Sequence, residues 1–70
     1  MQNNISEVIA SNIKKIREER GLSQEKLALE SGLHRTYIGM VERCEKNITV
    51  ISLEKIASAL NVEITELIHG

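Results

Sequence analysis

Apolar residues recur every three to four positions along most of the chain, which is the spacing of one face of an α-helix. A first helix is expected from about Glu7 to Arg20, following a stripe of isoleucines at Ile5, Ile9, Ile13 and Ile16. Asn4 and Glu7 together resemble a capping box at its start, and Gly21 is suited to end it. The pattern therefore begins with a long amphipathic helix.

Two short helices are predicted next, with a tight turn between them. The first begins after Ser23, a favoured N-cap residue, and continues to about Glu30. The second begins near His34 or Arg35 and continues to about Arg43. The turn contains a glycine, which can adopt the left-handed backbone that such a turn requires. Their inward-facing positions are apolar: Leu27, Ala28, Ile38 and Val41. Two helices joined in this way form a helix-turn-helix pattern.

A polar connection then leads to a fourth helix and a short fifth one. Thr49 is a good N-cap for the fourth helix, and Asn61 is expected to end it. Its inward stripe has the i, i+3, i+4, i+7 spacing: Leu53, Ile56, Ala57 and Leu60. The fifth helix is expected from Ile64 to Ile68. Five helices with brief connections indicate an all-α bundle in which residues 1–70 form one domain.

The composition agrees with this architecture. The chain has 70 residues, no proline and one aromatic residue, Tyr37, so its core must be aliphatic. A core of this size only just offsets chain entropy, which favours support from a second subunit. The one cysteine, Cys44, cannot form an intramolecular disulfide, and no metal or cofactor motif accompanies it. We expect a cytoplasmic protein, since the sequence has neither a secretory signal pattern nor a membrane-length apolar run.

Charge is informative through its distribution, since the formal net charge is only −1. Basic residues concentrate in the first helix and in or after the third, whereas glutamates concentrate in the C-terminal third. Such a distribution can produce a basic face suited to nucleic acid. The basic residues concerned are Lys14, Lys15, Arg17, Arg20, Arg35, Arg43 and Lys46.

The third helix carries the residues best suited to reading base pairs. Arg35 and Thr36 lie in its first turn, where a guanidinium can bond guanine O6 and N7 and a threonine methyl can contact thymine. Gly39 is unexpected inside a helix, where glycine costs about 1 kcal/mol relative to alanine. A close approach of the helix backbone to a DNA groove would account for it. The alternative for Thr36 is an ordinary exposed position.

The arrangement is similar to a known family through four segments: Leu22–Ala28, His34–Ile38, Val41–Arg43 and Leu53–Val62. It resembles the phage-repressor-like (lambda-repressor-like) helix-turn-helix regulators, and within them the controller proteins of restriction-modification systems. The resemblance implies a compact five-helix domain with the helix-turn-helix at helices 2 and 3. It further implies a homodimer on a near-palindromic double-stranded operator, or two such dimers on adjacent sites.

The resemblance also implies phosphate contacts around the third helix. Gln24, at the start of the second helix, is the position that contacts a phosphate in similar proteins, and Glu42 is the position that holds an arginine in place. Further phosphate contacts are expected from Ser23, His34, Tyr37, Arg43, Lys46 and Asn47. Simpler alternatives remain open, namely a helix cap for Ser23 and His34, and ring packing for Tyr37.

Apolar residues near the C-terminal helices exceed what the inward stripe needs. They are expected to form a two-fold dimer interface, unless they complete the core of one subunit. These residues are Ile51, Val62, Ile64 and Ile68. RNA polymerase is a further expected partner if the protein activates transcription, although the sequence does not distinguish activation from repression.

Two other classes of function compete with this interpretation. A catalytic set built from His34, Cys44 and His69 is not expected, because these residues belong to different elements and no orienting carboxylate accompanies them. An antitoxin on the same fold would hold a protein partner with an additional segment, and the sequence shows no such segment after the last predicted helix. We therefore expect a regulator without enzymatic activity.

Overall fold

The computed structural model describes residues 4–69, which form five α-helices as the apolar periodicity predicts. Residues 1–3 and 70, which belong to the predicted domain, lie outside the described part. The helices are α1 (Ile5–Glu19), α2 (Gln24–Ser31), α3 (Arg35–Glu42), α4 (Val50–Leu60) and α5 (Ile64–Ile68). The first helix begins two residues earlier than predicted, because Asn4 caps it directly.

Side chains set the starts of the four longer helices. Asn4 Oδ1 accepts a hydrogen bond from the Glu7 backbone N–H at 2.9 Å, and Ser23 Oγ accepts one from the Lys26 N–H at 2.9 Å. Thr49 Oγ1 does the same for α4. Such caps are each worth about 0.5–2 kcal/mol. The chain therefore specifies these helix boundaries locally.

The turn between α2 and α3 depends on a left-handed residue. Gly32 has φ 73° and ψ 24°, and the following residue, Leu33, donates its N–H to the Ala28 carbonyl at 3.0 Å. A side chain at this backbone conformation would be strained whatever the surrounding space. The predicted role of the turn glycine is thus confirmed.

The core lies where α1, α2 and α3 meet α4 and α5. Helix α1 packs mainly against α5, whereas α2 packs against both α3 and α4. Asn12 Nδ2 of α1 donates to the Leu67 and His69 carbonyls at 2.9 and 2.8 Å, which secures the end of α5. The largest fully buried side chains are aliphatic, as predicted: Ile13, Leu27, Ile38, Ile56, Leu60 and Leu67.

A buried ion pair joins α1 to α3, which corrects the charge pattern read from the sequence. Arg17 does not contribute to an exposed basic face, since only 8% of the residue is exposed. Its Nε and Nη2 donate to the Glu42 carboxylate at 2.7 and 3.0 Å, and its Nη1 donates to the Leu22 carbonyl at 2.7 Å. The hydrogen bond to Glu42 raises the pKa of Arg17 above its ordinary value, despite the opposing effect of burial. The guanidinium therefore stays charged at every ordinary pH.

None of the helices within residues 4–69 combines the length and the apolar character needed to cross a membrane.

Candidate nucleic-acid interface

The first turn of α3 presents the two predicted base-reading side chains on the surface. Arg35 and Thr36 are both exposed. They line a shallow groove of about 220 Å³ together with Gln24, Gly39 and Arg43. The start of α2 and the outward face of α3 thus meet at one concave surface. Its donors, a guanidinium pair, an amide and a hydroxyl, suit base edges and phosphates.

Gly39 has a role within the chain that the sequence does not reveal. It is buried, and a Cβ atom built on it would lie 3.1 Å from Arg43 Nη1 and 3.5 Å from Gln24 Oε1. The missing side chain therefore leaves room for this chain's own guanidinium to lie across α3. The expected close approach of the α3 backbone to DNA stays a prediction.

Arg43 is exposed and forms a two-point ion pair that the sequence analysis missed. Its Nε lies 3.0 Å from Glu45 Oε2, and its Nη2 lies 3.1 Å from Glu45 Oε1. The intervening residue, Cys44, has a left-handed φ of 61°. The hydrogen bonds from Arg43 lower the pKa of Glu45 below its ordinary value, and the same contact raises the pKa of Arg43. A glutamate two residues after an arginine is too common in sequences to have signalled this contact.

The predicted phosphate-binding residues at the start of α2 already have partners within the chain. Ser23 is the N-cap of the helix, in agreement with the simpler alternative, and remains exposed. Gln24 is half-buried, and its Nε2 donates to Glu42 Oε1 at 3.0 Å. Glu42 therefore fixes the orientation of the Gln24 amide beside the groove, and both oxygens of the same carboxylate hold Arg17. The arginine that Glu42 holds in place is therefore Arg17 of α1.

His34 and Tyr37 combine structural contacts with exposed polar atoms. His34 caps α3, since its Nδ1 accepts the Thr36 N–H at 3.0 Å. In that tautomer Nε2 carries the proton and can donate to an anion. The Tyr37 ring packs against the core, and its hydroxyl accepts the Thr49 N–H at 3.4 Å. The hydroxyl hydrogen of Tyr37 is thus left to donate elsewhere.

The segment after α3 carries the last two predicted phosphate contacts. Lys46 and Asn47 are both exposed. Asn47 Oδ1 accepts a hydrogen bond from Ser6 Oγ at 3.2 Å, which ties this segment to the start of α1. The amide nitrogen of Asn47 takes no part in this hydrogen bond. Both residues lie at the C-terminal side of α3, opposite the first-turn residues along the helix.

The predicted dimer residues divide into two groups. Val62, Ile64 and Ile68 are half-buried and pack against the core, as their simpler alternative requires. Ile51 is 66% exposed, and its neighbour Val50, which sequence reasoning overlooked, is 77% exposed. The inward apolar stripe of α4 begins at Leu53, and both Val50 and Ile51 precede it. The sequence could therefore have revealed Val50 together with Ile51. They form an exposed apolar pair at the start of α4.

The remaining polar candidates do not come together. His34 caps α3, Cys44 follows that helix, and His69 follows α5. Within residues 4–69 no three histidine, cysteine or acidic side chains are arranged so as to hold a metal ion. The groove beside α3 is the surface on which Arg35 and Thr36 meet Gln24 and Arg43.

Comparison with known proteins gives consistent matches. The helix-turn-helix family model matches residues 13–67. The chain is 50% identical over 64 residues to the control protein C.SmaI of Serratia marcescens, a match that spans 91% of this chain and 76% of that one. The restriction-modification controller protein C.AhdI of Aeromonas hydrophila superposes with a TM-score of 0.86 at 40% identity, over 89% of this chain and 94% of that one.

A further solved structure contains DNA. C.Esp1396I bound to a 25 base pair operator site superposes with a TM-score of 0.85 at 40% identity, over 96% of this chain and 92% of that one. The five-helix architecture described above is therefore shared with controller proteins, including one that holds an operator.

Proposed function

We propose that this chain, which belongs to the helix-turn-helix family, is a sequence-specific transcriptional regulator of a restriction-modification system. It binds a near-palindromic operator as a homodimer and acts in the cytoplasm, where that DNA lies. The observation that carries this proposal is the exposed Arg35–Thr36 pair at the start of α3, in one groove with the start of α2. The similarity to controller proteins supports it.

Base recognition is assigned to the first turns of α3. A helix that enters the major groove presents its N-terminal residues to base edges. Arg35 donates two hydrogen bonds to guanine O6 and N7, which discriminates against other bases by about 1–3 kcal/mol. Thr36 offers a hydroxyl and a methyl group to the neighbouring pair. Gly39 adds no side chain of its own to this face, so that α3 can approach the bases with the Arg43 guanidinium lying beside it.

Phosphate contacts flank this reading surface on both sides. Ser23, Gln24 and His34 lie at the starts of α2 and α3, where helix N–H groups attract anions. Tyr37 donates its hydroxyl hydrogen, and the segment after α3 supplies Lys46 and Asn47. These contacts position the protein without reading sequence, and each basic one makes binding dependent on salt.

The dimer interface is assigned to the C-terminal helices and the start of α4. Val50 and Ile51 provide exposed apolar surface at the start of α4, and the half-buried Val62, Ile64 and Ile68 add apolar surface from the segment after α4. Two dimers bind adjacent sites, and a contact between the bound protein and RNA polymerase links DNA binding to transcription. The dimer doubles the base pairs that are read.

Replacement of Arg35 tests the function directly. An operator is first selected from a random duplex pool with the wild-type protein, and binding of Arg35→Ala to this duplex and to a scrambled one is then measured. The variant should lose the preference for the selected duplex while retaining its scrambled-duplex affinity. Arg20→Ala, an exposed position at the end of α1, is the matched control and should keep the preference. A wild-type protein that selects no sequence would refute the proposal.

A further inference from the structure

The guanidinium of Arg43 is held from two sides. Glu45 engages its Nε and Nη2 at 3.0 and 3.1 Å, and its Nη1 lies against α3 at Gly39, where a Cβ would approach to 3.1 Å. The left-handed backbone at Cys44, with φ 61°, brings Arg43 and Glu45 together on one side of the chain. An exposed arginine is thus given a defined orientation over the outward face of α3.

This arrangement leaves one edge of the guanidinium unused by Glu45. Arginine has five N–H donors in a rigid fork, and a two-point contact with one carboxylate engages one hydrogen on Nε and one on Nη2. The second hydrogen of Nη2 and both hydrogens of Nη1 form the other edge. Because Nη1 lies at Gly39, this edge belongs to the groove that Arg35 and Thr36 also line.

The carboxylate decides which acceptor suits that edge. A phosphate placed there would lie within the width of one guanidinium from Glu45, and two anions at that separation repel each other. A guanine presents two neutral acceptors, O6 and N7, in the geometry that an arginine fork matches. Sequence patterns assign Arg43 to a phosphate, whereas its pairing with Glu45 favours a base.

We propose that Arg43 reads a guanine in the major groove, in addition to the base pairs read by Arg35 and Thr36, and that Glu45 is the positioning residue that makes this contact base-specific. The inference rests on the proposed DNA-binding function. Gly39 provides the space in which the guanidinium lies. Without Glu45, the same arginine would be free to turn towards a phosphate and would bind DNA with less regard to sequence.

The test uses the operator selected with the wild-type protein. Each guanine of one half-site is replaced in turn by 7-deazaguanine, which lacks the N7 acceptor, and affinities are measured for wild type, Arg43→Ala and Glu45→Gln. Alanine removes the guanidinium, so the loss of a phosphate contact weakens binding to every duplex, whereas the loss of a base contact weakens binding only where the guanine is intact. Glu54→Gln, an exposed α4 position, is the control for the loss of one negative charge. All four proteins should show nearly the same thermal unfolding, because the changed side chains are exposed and an exposed ion pair contributes little to stability.

The expected result is specific to one guanine. Wild type should bind the duplex in which that guanine is intact more tightly than its 7-deazaguanine counterpart, by up to the roughly 5- to 150-fold that a two-point contact discriminates. Arg43→Ala should lose this difference while retaining its affinity for scrambled DNA within about twofold. Glu45→Gln should discriminate less and bind scrambled DNA more tightly, with a steeper salt dependence. Glu54→Gln should match wild type in discrimination.

The opposite outcomes overturn the inference separately from the function. If wild type selects an operator but Arg43→Ala keeps every guanine preference and binds all duplexes more weakly, Arg43 contacts a phosphate and the inference is wrong. If Glu45→Gln behaves as Glu54→Gln does, Glu45 has no positioning role. If wild type selects no operator at all, the proposed function itself fails.

Discussion

The buried ion pair between Arg17 and Glu42 yields the strongest prediction about stability. Replacing Arg17 by methionine keeps most of the buried aliphatic stem but removes the guanidinium. Only 2% of the Glu42 side chain is exposed, and Arg17 supplies two of the hydrogen bonds that its carboxylate accepts. The single variant therefore leaves a buried anion with Gln24 as its remaining side-chain donor.

The magnitude follows from the desolvation of that anion. Removing one partner of a buried ion pair costs about 3–5 kcal/mol. Proteins have a free energy of unfolding of roughly 0.05–0.15 kcal/mol per residue, so a chain of this length has about 4–10 kcal/mol in total. Since 1 kcal/mol shifts the Tm of a small domain by about 4–8 °C, Arg17→Met should lower it by at least about 12 °C. The double variant Arg17→Met/Glu42→Leu should recover most of this loss, because neither charge is then buried.

The assay is urea unfolding followed by circular dichroism, with the four proteins of the double-mutant cycle measured together. Arg20→Met serves as the control, since Arg20 is exposed at the end of the same helix and its replacement should change stability by less than about 0.5 kcal/mol. If Arg17→Met costs no more than Arg20→Met, or if the losses from Arg17→Met and Glu42→Leu simply add, the buried-charge reasoning is refuted.

Three further predictions concern the groove and the dimer. Gly39→Ala should change stability by no more than about 1 kcal/mol, since the gain in helix propensity is opposed by displacement of the Arg43 guanidinium, which a Cβ would approach to 3.1 Å. It should also weaken DNA binding, and unaltered affinity in a titration would contradict the assigned role of Gly39. Ile51→Lys should shift the protein from dimer to monomer in sedimentation velocity with its helicity intact, and an unchanged dimer would place the interface elsewhere. Because Arg43 lowers the pKa of Glu45, their pairing stabilises the fold above the ordinary glutamate pKa, and this stabilisation is lost as the pH falls through the lowered pKa. In Arg43→Lys, the pKa of the Glu45 carboxyl measured by NMR titration should rise, and an unchanged pKa would exclude the pair in solution.

The helices were predictable because the chain encodes them locally. Asn4, Ser23 and Thr49 cap the helices that they precede, and the apolar stripes of α1 and α4 match the buried positions. Boundaries and inward faces of this kind depend on neighbours within one turn. Periodicity and capping chemistry are therefore enough to derive them without knowing how the helices pack.

The contacts between distant residues could not be derived in the same way. Arg17 occupies a position that also suits an exposed cation, and only the approach of α3 gives it Glu42 as a partner. Gly39 similarly pointed to the close approach of another group. The group that lies there is the Arg43 guanidinium, and its rotamer is not specified by the spacing of residues in the sequence. Sequence reasoning thus identified the residues that line the groove beside α3 and missed the internal partners that orient their side chains.

The left-handed residue after α3 also limits how much information one subunit can extract from DNA. By ending the helix at Glu42 it fixes α3 at eight residues, a rod about 12 Å long that spans about four base pairs. A given sequence of four base pairs occurs by chance about once in 250 positions, and two such half-sites in a two-fold arrangement occur about once in 65,000. Most of the sequence selectivity therefore belongs to the assembled dimer, and the concentration of subunits determines when the operator is occupied.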